Sequence, residues 1–263
     1  MPNGKLNISL VQTDIKWENK AANLTRYEQL ISRKKFNGEL GEVVVLPEMF
    51  STGFSMAPER LAEPMSGVSV QWMKDIAAKN NCILTGSLII EEEGKYYNRL
   101  IWMQPNGQCG YYDKRHLFGY GDEDTHFSRG NKKLIAQVNG WRICLLVCYD
   151  LRFPVWARNQ GDDYDALVFV ANWPERRSLA WRTLLQARAI ENMCYVIGVN
   201  RIGKDGKDIN YSGESSVFGP LGETIWQRAN EEIVQTVTLD KAVLQDARSH
   251  FPFLNDADKF VIL

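Results

Sequence analysis

The apolar positions of the chain fall into short strands and a few helical blocks. Leu6, Ile8 and Leu10 alternate with Asn7 and Ser9, which is the period of a strand. Leu24, Tyr27, Leu30 and Ile31 recur at helical spacing behind Asn19 or Asn23 as a cap, and Gly38 and Gly41 close that helix. Val43 to Leu46 is a buried strand running into Pro47-Glu48, and a loop rich in Gly, Ser and Pro follows. Trp72, Met73, Ile76 and Ala77 mark a second helix. Three strands come next, over about 83–90, 96–104 and 108–114, joined by turns at Glu91 to Gly94 and at Pro105-Asn106-Gly107. The segment 115–133 has little periodicity and reads as a functional loop.

After an Asn139-Gly140 hairpin turn, Ile143 to Val147 is an unbroken apolar run, the pattern of a strand buried on both faces. It ends at Cys148 and meets Pro154 six residues later, so the reading is strand, tight turn, helix. Ala166 to Ala171 is another buried strand, ending at Asn172-Trp173-Pro174. A helix over Ser178 to Asn192, a strand over Cys194 to Val199 and two strand pairs follow, and the tail from Asp240 starts helical and becomes irregular. Helices separate strands in two blocks, with hairpins between and after. That order predicts one α/β domain over residues 1–263, with a mixed sheet or two sheets face to face and helices outside.

Composition narrows the class. The chain has 263 residues, 44% hydrophobic and 24% charged, an ordinary globular balance. With 31 basic and 32 acidic residues the net charge is −1, which gives no electrostatic reason to expect nucleic acid or an anionic membrane as partner. Met1 to Leu10 has no long apolar core, so no secretory signal is expected, and no stretch approaches the roughly 20 apolar residues of a spanning helix. The five cysteines show no CxxC pairing and the three histidines are scattered, so the expectation is reduced thiols in the cytoplasm and no metal site.

Several strands end in a residue able to do chemistry: Glu48, Lys114, Cys148 and Asn172. In an α/β sheet, ligands bind outside the carboxyl ends of strands. Taken singly, each residue also fits a structural role: a small buried hydrophobe, a cap, an exposed charge, a turn former. Their joint pattern is more specific. Leu46-Pro47-Glu48, the run Asp113 to Phe118 and the run Cys148 to Pro154 resemble the three signature segments of the nitrilase (carbon–nitrogen hydrolase) superfamily, in the same order. Ala187 to Asn192, Gly213-Glu214-Ser215 and Pro220-Leu221-Gly222 extend the likeness over nearly the whole chain. Phe118 to Gly130 and Ala171 to Pro174 resemble the omega-amidase branch.

The resemblance implies a four-layer αββα sandwich and a Glu-Lys-Cys triad, here Glu48, Lys114 and Cys148. It implies a second glutamate in the loop after the lysine, for which Glu123, seven before Gly130, is the fitting position. The implied activity is hydrolysis of the side-chain amide of a 2-oxo acid amide, 2-oxoglutaramate or 2-oxosuccinamate, through a cysteine thioester and without a cofactor. Another amide, an N-carbamoyl compound or a nitrile is the alternative substrate, and a non-catalytic binding protein the alternative role. Tyr149 supplies a backbone N–H for the oxyanion in this reading. Phe118, Asn172, Trp173 and Phe54 are candidate pocket residues, and Arg176, beside Arg177, is a candidate partner for a substrate carboxylate. Arg188 and Glu191 are expected to form an ion pair across one helical turn. Arg152 is expected to brace the nucleophile turn. The family also implies a homodimer, with Trp156, Trp181 and the chain end as candidate surface.

Overall fold

The computed structural model describes residues 4–262. Its elements are β1 (Lys5–Gln12), α1 (Lys20–Phe36), β2 (Val43–Val45), α2 (Pro58–Leu61), α3 (Val68–Asn80), β3 (Ile83–Glu92), β4 (Lys95–Met103), β5 (Cys109–Asp113), α4 (Glu123–His126), β6 (Leu134–Val138) and β7 (Trp141–Val147). They continue with α5 (Pro154–Ala157), β8 (Ala166–Ala171), α6 (Ser178–Asn192), β9 (Tyr195–Asn200), β10 (Ile202–Lys204), β11 (Asn210–Phe218), β12 (Thr224–Ala229), β13 (Ile233–Asp240) and α7 (Lys241–His250).

These strands form two sheets. One runs β13-β1-β2-β3-β4-β5, and the other β10-β11-β9-β8-β7-β6 with β12 paired to β11. Both are mixed: β1, β2 and β3 are parallel, as are β7, β8 and β9, and antiparallel strands flank each group. The alternation of side chains explains how the sheets stack. Leu6, Ile8 and Leu10 of β1, Val43 and Val45 of β2, and Leu100 and Trp102 of β4 share a core with Ile143 to Val147 of β7 and Ala166 to Ala171 of β8. The opposite face of the first sheet, with Val11, Val44, Leu84 and Ile101, packs on Leu24, Tyr27 and Ile31 of α1 and Met73, Ile76 and Ala77 of α3. Trp181, Leu185 and Ala189 of α6 cover the second sheet. The layers are therefore helix, sheet, sheet, helix, which is the αββα sandwich the resemblance implies.

Local signals match their roles. Asn19 caps α1, its side chain accepting from the Ala22 N–H at 3.1 Å. Arg188 pairs with Glu191 at 2.9 Å. The helix expected from Pro154 is a single turn, preceded by a 3₁₀ turn over Cys148–Arg152. Trp156 and Trp181 are not surface. Both are buried, and each indole N–H has a partner inside, the Tyr112 hydroxyl for Trp156 and the Glu214 carbonyl for Trp181. A tryptophan bearing a satisfied N–H is core material, so neither offers a face for dimer contact. Among the described residues, no helix is long and apolar enough to cross a membrane.

Candidate active site

Parallel strands at the centre of each sheet end on the same side, and the turns after them meet between the sheets. Cys148 follows β7 directly and takes φ +44°, in the left-handed region. A non-glycine residue held there is strained by roughly 1–3 kcal/mol and needs surrounding bonds to hold it. Asp150 supplies them. Its Oδ2 accepts from the Val147 N–H at 3.0 Å and the Tyr112 hydroxyl at 2.8 Å, and its Oδ1 lies 2.8 Å from the His116 Nδ1. Asp150 is fully buried and ties the turn after β5 to the turn after β7. Arg188 adds a bond at 2.6 Å to the Leu151 carbonyl. Arg152, expected as the brace, is exposed instead; its guanidinium lies 4.9 Å over the Trp173 ring at the pocket wall.

Lys114 follows β5 and is buried. Its Nζ lies 2.8 Å from Glu48 Oε1 and 2.8 Å from Glu123 Oε2. Glu48, three residues past β2, has no exposed surface, and neither has Glu123 at the start of α4. The Asn98 Nδ2 of β4 donates to Glu48 Oε1 at 2.8 Å and to Glu123 Oε1 at 3.0 Å. Asn172, just past β8, donates its backbone N–H to Glu48 Oε2 at 2.8 Å and its side-chain N–H to the Glu48 carbonyl at 2.6 Å. Glu123 also accepts from the Phe118 N–H at 2.7 Å. The loop bearing Glu123 returns at Gly130, whose N–H donates to the Lys114 carbonyl at 3.0 Å. A Cβ at Gly130 would sit 2.2 Å from the Asp113 carbonyl oxygen, so only glycine allows that return.

The charges in this cluster decide its protonation. Burial alone would lower the Lys114 pKa, but the Glu123 and Glu48 carboxylates outweigh it and hold the amine charged. Burial raises Glu123, with Glu48 adding to the rise and Lys114 opposing it. Burial also lifts the Cys148 thiol well above its ordinary range; Glu48 adds to this by charge and by a hydrogen bond, and Lys114 only partly offsets it. Two carboxylates and one ammonium leave the cluster net negative, so a resting thiolate is disfavoured. The proton stays on sulfur, beside a carboxylate placed to take it.

Cys148 opens into a cavity of about 210 Å³, lined among others by Phe54, Lys114, Phe118, Tyr149, Asn172, Trp173 and Arg177. That is below the roughly 300–1,000 Å³ of pockets for drug-sized ligands, so it suits a small acyl group. Arg176 also lines the cavity, but as an exposed residue at the rim. Ten candidate site residues named from the sequence lie here: Glu48, Lys114, Cys148 and Glu123 in or around the charged cluster, and Phe54, Phe118, Tyr149, Asn172, Trp173 and Arg176 around the cavity.

A sequence model of the carbon-nitrogen hydrolase family matches residues 7–249. The chain belongs to that family. It is 43% identical over 260 residues to the omega-amidase YafV of Escherichia coli K12, covering 97% of this chain and 98% of that protein. It is 30% identical to the 2-oxoglutaramate amidase of Bacillus subtilis, covering 97% and 98%. The crystal structure of XC1258 from Xanthomonas campestris, a CN-hydrolase superfamily protein with an arsenic adduct in its active site, is similar at TM-score 0.95 and 42% identity, covering 98% of this chain and 99% of that one. This carbon-nitrogen hydrolase is accordingly an enzyme, an amidase.

Sequence reasoning missed Asn98 and Asp150. Asn98 sits inside a strand, where nothing local marks it as a donor to two glutamates. Asp150 lay inside a signature segment, and its charge, buried two residues past the nucleophile, was the available signal.

Proposed function

We propose that this hydrolase cleaves the side-chain amide of a 2-oxo acid amide, 2-oxoglutaramate or 2-oxosuccinamate, to the 2-oxo dicarboxylate and ammonia through a thioester on Cys148. The observation that carries the reading is Cys148, strained into a left-handed turn at the floor of a small cavity, with Glu48 and Lys114 beside it. The names of the amidase relatives support the choice of substrate.

An amide is a poor electrophile with a poor leaving group, and a covalent route divides its hydrolysis into two easier steps. The Cys148 sulfur attacks the amide carbon while its proton passes to Glu48. The carbonyl oxygen becomes an oxyanion. Lys114 gives two of its three N–H bonds to Glu48 and Glu123 and has one for this oxygen, with the Tyr149 backbone N–H as second donor. Losing one such donor costs about 3–4 kcal/mol of transition-state stabilisation. Collapse breaks the C–N bond, and Glu48 hands its proton to the departing ammonia. Glu48 then takes a proton from water, whose oxygen attacks the thioester; the acid leaves and the sulfur regains its proton. Glu123 and Asn98 keep Lys114 and Glu48 in register throughout.

The chain acts in this reading as one catalytic domain, cytoplasmic and homodimeric. Leu179 and Ile190 of α6, 71% and 53% exposed, leave apolar surface that light scattering in solution would report on. Incubation with 2-oxoglutaramate should release ammonia, and mass spectrometry of a quenched reaction should find the acyl group on Cys148. Turnover that survives Cys148→Ala overturns the assignment.

A further inference from the structure

The cavity holds a group that the thioester chemistry does not use. Three arginines line it, Arg152, Arg176 and Arg177, and none of them is in salt-bridge contact with a carboxylate among the described residues. Elsewhere the buried arginines are paired: Arg99 with Asp113 and Glu92, Arg188 with Glu191, Arg201 with Asp14. The acids nearest at hand do not serve the three. Asp205 spends its oxygens on the Lys207 and Ile209 N–H groups and the Tyr211 hydroxyl, holding the 205–209 turn. Asp122, the other acid of the lining, precedes α4 and pairs with none of them.

Arg177 differs from its neighbours. It is half-buried where Arg152 and Arg176 are exposed, and its guanidinium stands 5.1 Å over the Phe118 ring. Phe118 is held in turn by edge contacts with Tyr149, 5.0 Å between centroids, one residue past the nucleophile. Burial depresses the Arg177 pKa, and the neighbouring Arg176 and Arg152 charges add to that. Arg177 and Cys148 line one cavity of about 210 Å³. An arginine taken half out of water, set over an aromatic face and left without an anion is a ready fork for a carboxylate.

We infer that Arg177 sets substrate specificity by binding the free carboxylate of the substrate, so that the pocket takes monoamides of short dicarboxylic acids in preference to neutral amides of the same length. The inference rests on the amidase reading and narrows it. A molecule whose amide carbon touches the Cys148 sulfur has its far end only a few bonds away in so small a cavity. Arg176, the partner favoured by sequence, stays at the rim. Arg177 acts on the bound substrate and leaves the thioester steps to the cluster behind it.

The test compares an anionic amide, 2-oxoglutaramate, with a neutral aliphatic amide of equal length. Arg177→Gln should lower kcat/KM for the anionic amide 10- to 100-fold more than for the neutral one, with the loss in KM. Arg177→Lys should recover part of it, since it keeps the charge and loses the fork. Equal losses on both amides, or none, overturn the inference. A second measurement needs no turnover: calorimetric titration of Cys148→Ala with 2-oxoglutarate. That variant should bind the dicarboxylate, and adding Arg177→Gln should weaken binding at least 10-fold. Undiminished binding, or no binding before the arginine is changed, overturns the inference, whereas failure to hydrolyse any amide overturns only the amidase reading.

Discussion

At the inner end of the pocket, Lys114 has two carboxylates within 2.8 Å and almost no solvent; at the mouth, Arg152, Arg176 and Arg177 have no carboxylate partner and keep some or most of their surface in water. The inner charges are fixed by donors from Asn98, from Asn172 after β8 and from Phe118, so they meet the reaction already arranged. The mouth charges are left for the substrate to complete. A buried ionic cluster is costly unless every member is matched, whereas a half-exposed arginine can wait for its anion because water meets part of the cost. The two ends should therefore respond differently to mutation, to pH and to salt.

The largest expected effect separates members of the inner cluster. Lys114→Met leaves two carboxylates buried without their cation. It should abolish turnover and destabilise the fold by about 3–5 kcal/mol, a drop of roughly 10 °C in Tm for a chain of this size. Glu123→Gln does the reverse to the charge balance, leaving Lys114 and Glu48 as a neutral pair. The Glu123 pKa is raised in the folded state, so its contribution to stability is present below the unfolded carboxylate range and lost as pH rises through the raised value. From pH 5 to pH 8 the Tm of Glu123→Gln should rise relative to that of the wild type, while kcat is lower than wild type. A Glu123→Gln protein as unstable as Lys114→Met would mean that both glutamates are needed to hold the cluster.

Next in size is the effect of Glu48 on sulfur. Glu48 raises the thiol pKa by its charge and its hydrogen bond, so Glu48→Gln should move the alkylation profile of Cys148 with iodoacetamide to lower pH. The same variant should lose amide turnover by about 100-fold or more, the upper part of the range for removing a general base. A more ionisable but less active cysteine separates proton transfer from mere nucleophilicity. If Glu48→Gln instead made the thiol harder to alkylate, Glu48 would be acting to stabilise the thiolate, and the resting proton would not be on sulfur.

How much of this contrast was legible in the chain follows from where each residue stands. Glu48, Lys114, Cys148 and Asn172 each end a strand or follow one closely, and an apolar run that stops at a polar residue is a one-dimensional signal. Glu123 was readable by its distance from Gly130, which must be glycine because its backbone lies against Asp113. Asn98 was not readable: it lies within β4, opposite Ile89 of β3, and its role follows from strand register and from two loops that arrive from elsewhere. The pairing of β13 with β1, which joins the two ends of the chain, is equally a matter of register. Trp156 and Trp181 were misplaced because aromatic residues near helices fit core and interface alike, and only the partners of their N–H groups decide. Arg176 and Arg177 are adjacent and chemically identical in sequence; burial and the place of Arg177 over Phe118 separate them.

The smallest effect sharpens the comparison without changing a residue. Screening acts on charges that water reaches: the Debye length shrinks from about 10 Å at 0.1 M salt to about 3 Å at 1 M, and buried pairs feel little of it. Raising salt from low to high should therefore weaken the half-exposed arginine mouth and spare the Lys114 cluster. KM for 2-oxoglutaramate should rise about threefold, within the modest range of exposed ion pairs, while kcat and the KM of a neutral amide stay nearly constant. The sign also separates two sources of attraction. A mouth that only steers anions from a distance would lose its preference entirely at high salt, because long-range fields are screened first. A carboxylate seated on the Arg177 fork over Phe118 is in contact and partly out of water, so Arg177→Gln should still raise KM at high salt, by more than salt alone raises it in the wild type.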